Sequence, residues 1–236
     1  MTKGKLYLIP STLGPTASEQ VIPGPCLELL QHIDCYVVEE LRTVRRFLSQ
    51  SGLKGKIDGL EFHELNEHSS AEDVERLLGL FDNGRDVALI SEAGLPAVAD
   101  PGAALVALCH SHGIEVCPQV GPSSLMLALM GSGLNGQSFA FRGYLPAKTE
   151  ERRKAIKEAE KLSFSLGQTQ MFIETPYRND ALFKDLLANL GPACKLCIAA
   201  DLTLESQFIK TLSVQQWKKQ NFEIGKRPCV FLFLAK

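Results

Sequence analysis

Long apolar runs are missing from this 236-residue chain, and no stretch approaches the length of a membrane-spanning helix. The apolar run Leu6–Ile9 near the amino end stops at Pro10 after four residues, too short for the core of a secretory signal. The expected location is the cytoplasm. A strong charge imbalance is also missing: the net charge of −2 excludes binding of nucleic acid through overall charge, so any such partner must meet a local basic face. Paired cysteine spacing is nearly absent. Seven scattered cysteines, an odd number, fit reduced and mostly buried thiols better than a disulfide framework. Cys194 and Cys197 form a C-x-x-C, but in a strand residues three apart point to opposite faces, and no second pair or histidine completes a zinc site. The five histidines lack H-E-x-x-H or any other ligand spacing, so no metal is expected. There is no internal repeat or low-complexity tract.

What is present is alternation. Strand-like Leu6–Ile9, Cys35–Glu39, Leu60–His63, Val87–Ile90 and Ile114–Cys117 are separated by helix-like Pro25–Ile33, Arg42–Gln50, Ala71–Phe81 and Pro101–His110. Strict alternation predicts a mostly parallel sheet with helices on both faces. Ser69 with Glu72 reads as a capping box, and Asp100 before Pro101 as an N-cap. The second half reads as helix Pro122–Met130, strand Phe139–Arg142, helix Glu150–Lys161, strand Met171–Glu174 and helix Asn179–Leu190. Strand-like Lys195–Ala200, Ser206–Leu212 and Cys229–Leu234 then follow one another with little helix between, the pattern of a mixed sheet. The expected architecture is two α/β domains, 1–118 and 119–236, with a cleft between them.

Two stretches carry the functional signal, VALISEAGLPAVADPG (87–102) and VGPSS (120–124). In each, an apolar strand breaks into a turn of glycine, proline and other small residues and a helix follows at once, which is how an α/β protein opens a ligand crevice at the carboxyl edge of its sheet. Small residues admit a ligand to the backbone, and the new helix offers unpaired N–H groups. Gly131–Gly136 matches G-x-G-x-x-G, but a helix precedes it and a strand follows, the reverse of a dinucleotide fingerprint, so it reads as a helix end and turn. Asp100 reads as a cap or as a carboxylate at the pocket rim. Glu39-Glu40-Leu41-Arg42 and Glu174-Thr175-Pro176-Tyr177-Arg178 both close strands with acid and base groups, and that concurrence favours a site at one sheet edge. The segment Lys148–Lys161 holds six basic and four acidic residues, with Glu150 and Lys154 spaced i,i+4, as a solvated helix or an anion-facing surface.

In order along the chain, LYLIPSTLG, EELR, VALISEAGLPAVADPG, GPSSLMLALMGSGL, FRGYLPAK with Arg152, FIETPYR and ADLT resemble the tetrapyrrole methylase superfamily, most nearly its branch of small-subunit ribosomal RNA methyltransferases. The resemblance implies a homodimer that uses S-adenosylmethionine to methylate a cytidine 2′-hydroxyl in RNA. It places the cofactor on Thr12, Gly94, Leu95, Val98, Ser123, Ser124, Glu174 and Leu202. It assigns orientation or base chemistry to Glu39 and Glu174, and phosphate contacts to Arg42, Lys148, Arg152 and Arg178. The chain departs from the branch where Glu-Asp-Thr-Arg becomes Glu39-Glu40-Leu41-Arg42, where Tyr177 replaces a histidine, and where Arg-Glu-Leu-Thr-Lys becomes Ala200-Asp201-Leu202-Thr203-Leu204. These changes leave the methyl acceptor open. A small tetrapyrrole-like acceptor is a second reading, although that branch carries Gly-Gly-Asp-Pro where this chain has Ala93-Gly94-Leu95-Pro96. A non-catalytic relative that binds S-adenosylmethionine or RNA is a third.

Overall fold

Strands that are apolar at every position need cover on both faces, and the first part of the chain supplies it. In the computed structural model, which describes residues 2–236, strands β1 (Leu6–Leu8), β2 (Cys35–Val38), β3 (Glu61–Glu64), β4 (Val87–Ile90) and β5 (Val116–Pro118) run parallel in the order β3-β2-β4-β1-β5. Along β2 the side chains alternate. Tyr36 and Val38 join Ile9, Ala88 and Ile90 under helices α1 (Ser18–Val21), α2 (Gly24–Leu29) and α3 (Leu41–Leu48). Cys35 and Val37 join Leu6, Val87 and Leu89 under α4 (Ala71–Arg76) and α5 (Gly102–Ser111). Each fully buried valine, leucine or isoleucine among them contributes about 1.5–3 kcal/mol. The Tyr36 hydroxyl is satisfied inside this core by donating to the carbonyls of Leu30 and Ile33, both at 3.1 Å.

This topology fixes where a ligand can enter. The chain leaves β1 through α1 and α2 on one face and leaves the adjacent β4 through α5 on the other. Neighbouring strands whose connections depart to opposite faces open a crevice at their carboxyl ends.

Local details differ from the sequence reading in two places. The capping box is formed by Ser70 and Asp73 rather than Ser69 and Glu72: Asp73 N donates to Ser70 Oγ at 3.2 Å and Ser70 N to Asp73 Oδ2 at 3.0 Å. Ser69 instead accepts from Asn66 N, which ends the preceding turn. The single helix expected over Ala71–Phe81 is α4 followed by a 3-10 segment, Leu77–Gly84, that contains Gly79 and ends with Asn83 in the left-handed region.

The chain divides into two compact units between Ser123 and Ser124. In the second unit, β6 (Phe139–Tyr144), β7 (Thr169–Ile173), β8 (Lys195–Ala200), β9 (Phe208–Ser213) and β10 (Cys229–Leu234) form a mixed sheet of order β6-β7-β10-β8-β9. Only β6 and β7 pair in parallel. One face packs Leu196, Ile198, Phe231 and Phe233 against α7 (Thr149–Leu166), α8 (Asn179–Asn189) and α9 (Val214–Trp217). Trp217 Nε1 donates to the Leu196 carbonyl at 2.8 Å. Helix α6 (Ser124–Ser132) covers the other face, where Thr211 Oγ1 donates to the Ser132 carbonyl at 2.6 Å. Here Gly131 has its purpose: a Cβ on it would lie 2.7 Å from Ile209 Cδ1, so the absent side chain permits helix and strand to touch. With Gly133 at φ 67° just past the helix, G-x-G-x-x-G is a packing and turn motif.

Six cysteines are buried and Cys117 is half-buried, none in a disulfide. Burial pushes the thiols of Cys26, Cys35 and Cys109 up to about 11 and that of Cys194 up to about 12. Thiolate is the reactive form, so an aromatic disulfide reagent at mildly alkaline pH is expected to titrate Cys117 alone in the native protein and every thiol after unfolding. Rapid reaction of several thiols in the native state would contradict the packed core. Among the described residues no helix is long and apolar enough to cross a membrane.

Candidate active site

In the first unit the loops after β1, β2 and β4 are tied to one another at the carboxyl edge. Ser11 N donates to the Gly94 carbonyl at 2.9 Å, and Ser11 Oγ to the Ser91 carbonyl at 3.3 Å. Glu39 follows β2 directly, and its Oε2 accepts from Glu92 N at 3.0 Å. Within the β4–α5 loop, Ala97 and Ala99 hold φ of 64° and 61°, a conformation that costs an alanine roughly 1 kcal/mol or more. Asp100 pins that shape: its carboxylate accepts from Ala97 N at 2.9 Å and from Gly102 N at 2.7 Å. Burial, reinforced by the Glu39 charge, raises the Asp100 pKa above the usual carboxylate value. The cap reading of this residue is therefore realised as a loop clasp.

The glycines at this edge are spatial requirements. Gly94 has φ 78°, and a Cβ there would lie 3.1 Å from Leu13 and 3.5 Å from the Pro122 carbonyl. A Cβ on Gly121 would lie 2.2 Å from Pro10 Cγ. Because the proline ring cannot swing aside, Gly121→Ala is expected to displace the β1 loop, costing about 1–3 kcal/mol of stability. A melting temperature equal to that of the wild type would show that the two loops are not in contact. Thr12 and Leu95 are half-buried at the same loops, Val98 and Val120 leave apolar side chains 46% and 75% exposed, and Arg42 stands exposed in the first turn of α3. Glu40, not Arg42, does the structural work there, accepting from Arg42 N and Thr43 N as the N-cap, which holds its pKa down. Ser123 closes the unit. The chemistry of the set fits S-adenosylmethionine: the half-buried hydroxyls of Thr12 and Ser123 can meet its polar groups, and the exposed side chain of Val98 supplies an apolar rim.

The second unit has an edge of its own. The register aligns Tyr144 with Ile173, Ile173 with Val230, and Ala200 with both Cys229 and Phe208, so the residues following β6, β7 and β8 and those preceding β9 and β10 meet at one end of the sheet. Glu174 sits there with its side chain 0% exposed; Oε1 accepts from Thr175 N at 2.8 Å, and Oε2 lies 2.9 Å from Arg178 Nη2. A buried carboxylate is costly unless paired, and Arg178 supplies the counter-charge. Leu202 is buried close by in sequence to Asp201, whose Oδ2 accepts from Ser206 Oγ at 3.0 Å and from Arg227 Nη1 at 3.3 Å. Asn179 donates to the carbonyls of Gly225 and Arg227 at 3.1 and 2.7 Å, and Asp180 accepts from Ile224 N at 2.7 Å. Those bonds fix the segment preceding β10 against the start of α8.

The basic residues expected on RNA are placed very differently. Lys148 is exposed and pairs with Glu151 at 3.3 Å, and Glu150 pairs with Arg153 rather than with Lys154. Arg152 is buried, its side chain 10% exposed: Nε and Nη2 grip Asp185 at 2.6 and 2.5 Å, and Nη1 donates to the carbonyls of Pro146 and Ala147. Its donors are spent within the unit, so the residue positions the β6–α7 loop instead of facing an anion. Ser124 opens α6. Arg227, Lys226 and Asn179 were not expected at this edge; Lys226-Arg227-Pro228 ahead of the last strand was the available signal. One group among the described residues has metal-ligand chemistry, Cys35, Glu61 and His63, but it lies at the amino end of β2, and Glu61 is already bonded to Arg85 and His63.

Comparison with known proteins identifies the family. The family model described as Tetrapyrrole (Corrin/Porphyrin) Methylases matches residues 27–217. The ribosomal RNA small subunit methyltransferase I of Escherichia coli O157:H7 is 33% identical over 98% of this chain and 78% of its own length. That of Vibrio cholerae serotype O1 is 32% identical over 89% and 69%, and that of Neisseria meningitidis serogroup B is 34% identical over 85% and 64%. Among solved structures, diphthine synthase superimposes with a TM-score of 0.68 at 19% identity, covering 99% of this chain and 90% of that one. A Thermus thermophilus uroporphyrin-III C-methyl transferase complexed with S-adenyl homocysteine gives 0.61 at 16%, covering 98% and 97%. The chain belongs to the tetrapyrrole (corrin/porphyrin) methylase family, among the relatives of ribosomal RNA small subunit methyltransferase I, and is a methyltransferase.

Proposed function

We propose that this protein transfers a methyl group from S-adenosylmethionine to a ribose 2′-hydroxyl of small-subunit ribosomal RNA, acting as a cytoplasmic homodimer. S-adenosylmethionine, when bound, supplies a methyl group on a positively charged sulfur. The chain's own task is to align the acceptor and manage its proton. Thr12, Gly94, Leu95, Val98 and Ser123, with Ser124, Glu174 and Leu202, are the residues that would hold the cofactor, through backbone groups, hydroxyls and an apolar rim. Alignment of this kind contributes several kcal/mol by removing translational and rotational freedom.

Glu174 carries the reading. Its side chain is wholly buried at a strand end, Oε1 accepting from Thr175 N and Oε2 facing Arg178, and a carboxylate at that edge can orient a hydroxyl and accept its proton. Glu39 is committed to Glu92 N and shapes the loop, so its part is positional. Arg178, Lys148 and Arg42 remain exposed enough to meet phosphates.

The test is incorporation of tritiated methyl from S-adenosylmethionine into small ribosomal subunits that lack this modification, followed by alkaline hydrolysis. Label in an alkali-resistant dinucleotide is expected, since a methylated 2′-oxygen cannot attack the neighbouring phosphate. Transfer to a porphyrinoid but not to RNA, or cofactor binding without any transfer, would overturn the reading.

A further inference from the structure

Two large exposed tyrosines stand near one edge of the second sheet, Tyr144 at the end of β6 and Tyr177 in the turn that follows β7. Tyr177 is 81% exposed and Tyr144 59% exposed. The strand register sets Tyr144 beside Ile173, so both rings belong to the edge that carries Glu174. Tyr177 has a cation against its ring. Lys226 Nζ lies 4.9 Å from the Tyr177 ring centroid, although the two residues are far apart in sequence. Arg178 is adjacent, and Lys148 follows Tyr144 by one short loop. The contact between Lys226 and Tyr177 is built in. Asn179 and Asp180, directly after Arg178, hold the backbone of residues 224–227 by four or more hydrogen bonds, so the cation is delivered to the ring by fixed main chain.

Resting on the reading above, we propose that Tyr177 and Tyr144 are stacking surfaces for unpaired bases of the RNA, with Lys226 and Lys148 meeting the phosphates beside them. Sequence-specific and single-stranded RNA binding uses this combination, because every base has a face to stack on an aromatic ring and a phosphate to meet a cation. Neither ring belongs to the apolar core of the unit, and the cation over Tyr177 suits a charged partner better than an apolar one.

The experiment uses the full chain and a short fluorescein-labelled oligocytidine RNA, with binding read by anisotropy across a salt series. Tyr177→Leu is expected to weaken binding about tenfold while Tyr177→Phe, which keeps the ring, stays near wild type. Lys226→Gln should weaken binding and reduce the slope of log affinity against log salt by about one phosphate contact. Tyr144→Leu should act in the same direction as Tyr177→Leu. Calorimetry with S-adenosylmethionine on every variant checks folding, and its affinity is expected to be unchanged. If the wild type methylates RNA and binds the oligonucleotide but Tyr177→Leu binds it equally well, the stacking proposal is overturned. If the wild type binds S-adenosylmethionine yet transfers no methyl to RNA, the functional reading beneath it falls instead.

Discussion

Methyl transfer by the Glu174→Gln variant is expected to fall by about two orders of magnitude or more, with the fold intact. Glutamine has nearly the shape of glutamate, so Oε1 can still accept from Thr175 N, and Arg178, which is partly exposed, can turn to water when its partner is neutral. What disappears is the negative charge in a buried place, and losing a general base typically costs 100-fold or more. Single-turnover assays with saturating cofactor isolate the transfer step, and calorimetry shows whether cofactor affinity moves as well. A variant with wild-type turnover would remove Glu174 from the chemistry. The companion Arg178→Ala is expected to act on stability first, because it leaves the carboxylate buried without a counter-charge.

Arg152→Ala is expected to destabilise the protein by about 3 kcal/mol, read as a lower denaturant midpoint. The substitution strips Asp185 of its ion pair and leaves the Pro146 and Ala147 carbonyls without their donor. Arg152→Lys should recover little of this, since an ammonium cannot engage a carboxylate in two parallel bonds while also reaching two carbonyls. The double variant with Asp185→Ala should be less unstable than the sum of the two single ones, because neither charge is then left alone. If Arg152→Ala proves as stable as the wild type and loses RNA affinity instead, the side chain faces substrate, as its neighbours in sequence suggested.

That contrast shows where sequence reading reaches its limit. Alternation of apolar segments was enough to predict a parallel sheet covered on both faces and a mixed sheet after it, because burial on two faces and on one face leave different patterns. The loops 87–102 and 120–124 stood out by their small residues, and at Gly94 and Gly121 the structure gives those residues a packing reason, since a side chain there would collide with Leu13, Pro122 or Pro10. Arg152 was misplaced for a physical reason. Its local surroundings on α7 are a run of mixed charge, whereas its partner Asp185 lies on another helix, 33 residues on. The same holds for Lys226 over Tyr177 and for Arg227 on Asp201, pairs made by strand order rather than by spacing. The capping box slipped by one residue because Ser69 and Ser70 are chemically equivalent and only backbone geometry chooses between them.

The position of β10 between β7 and β8 governs how the second unit is assembled in time. During synthesis β6 through β9 emerge first, yet β7 and β8 have no contact ladder with each other and must wait for residues 229–234 to bridge them. Until then two half-sheets expose unpaired edges, a situation that slows folding and favours association with other chains. The sheet of the first unit, by contrast, draws every strand from residues 6–118 and can be complete long before. The edge that carries Glu174, Tyr177 and Lys226 is therefore complete only once β10 has paired with both β7 and β8.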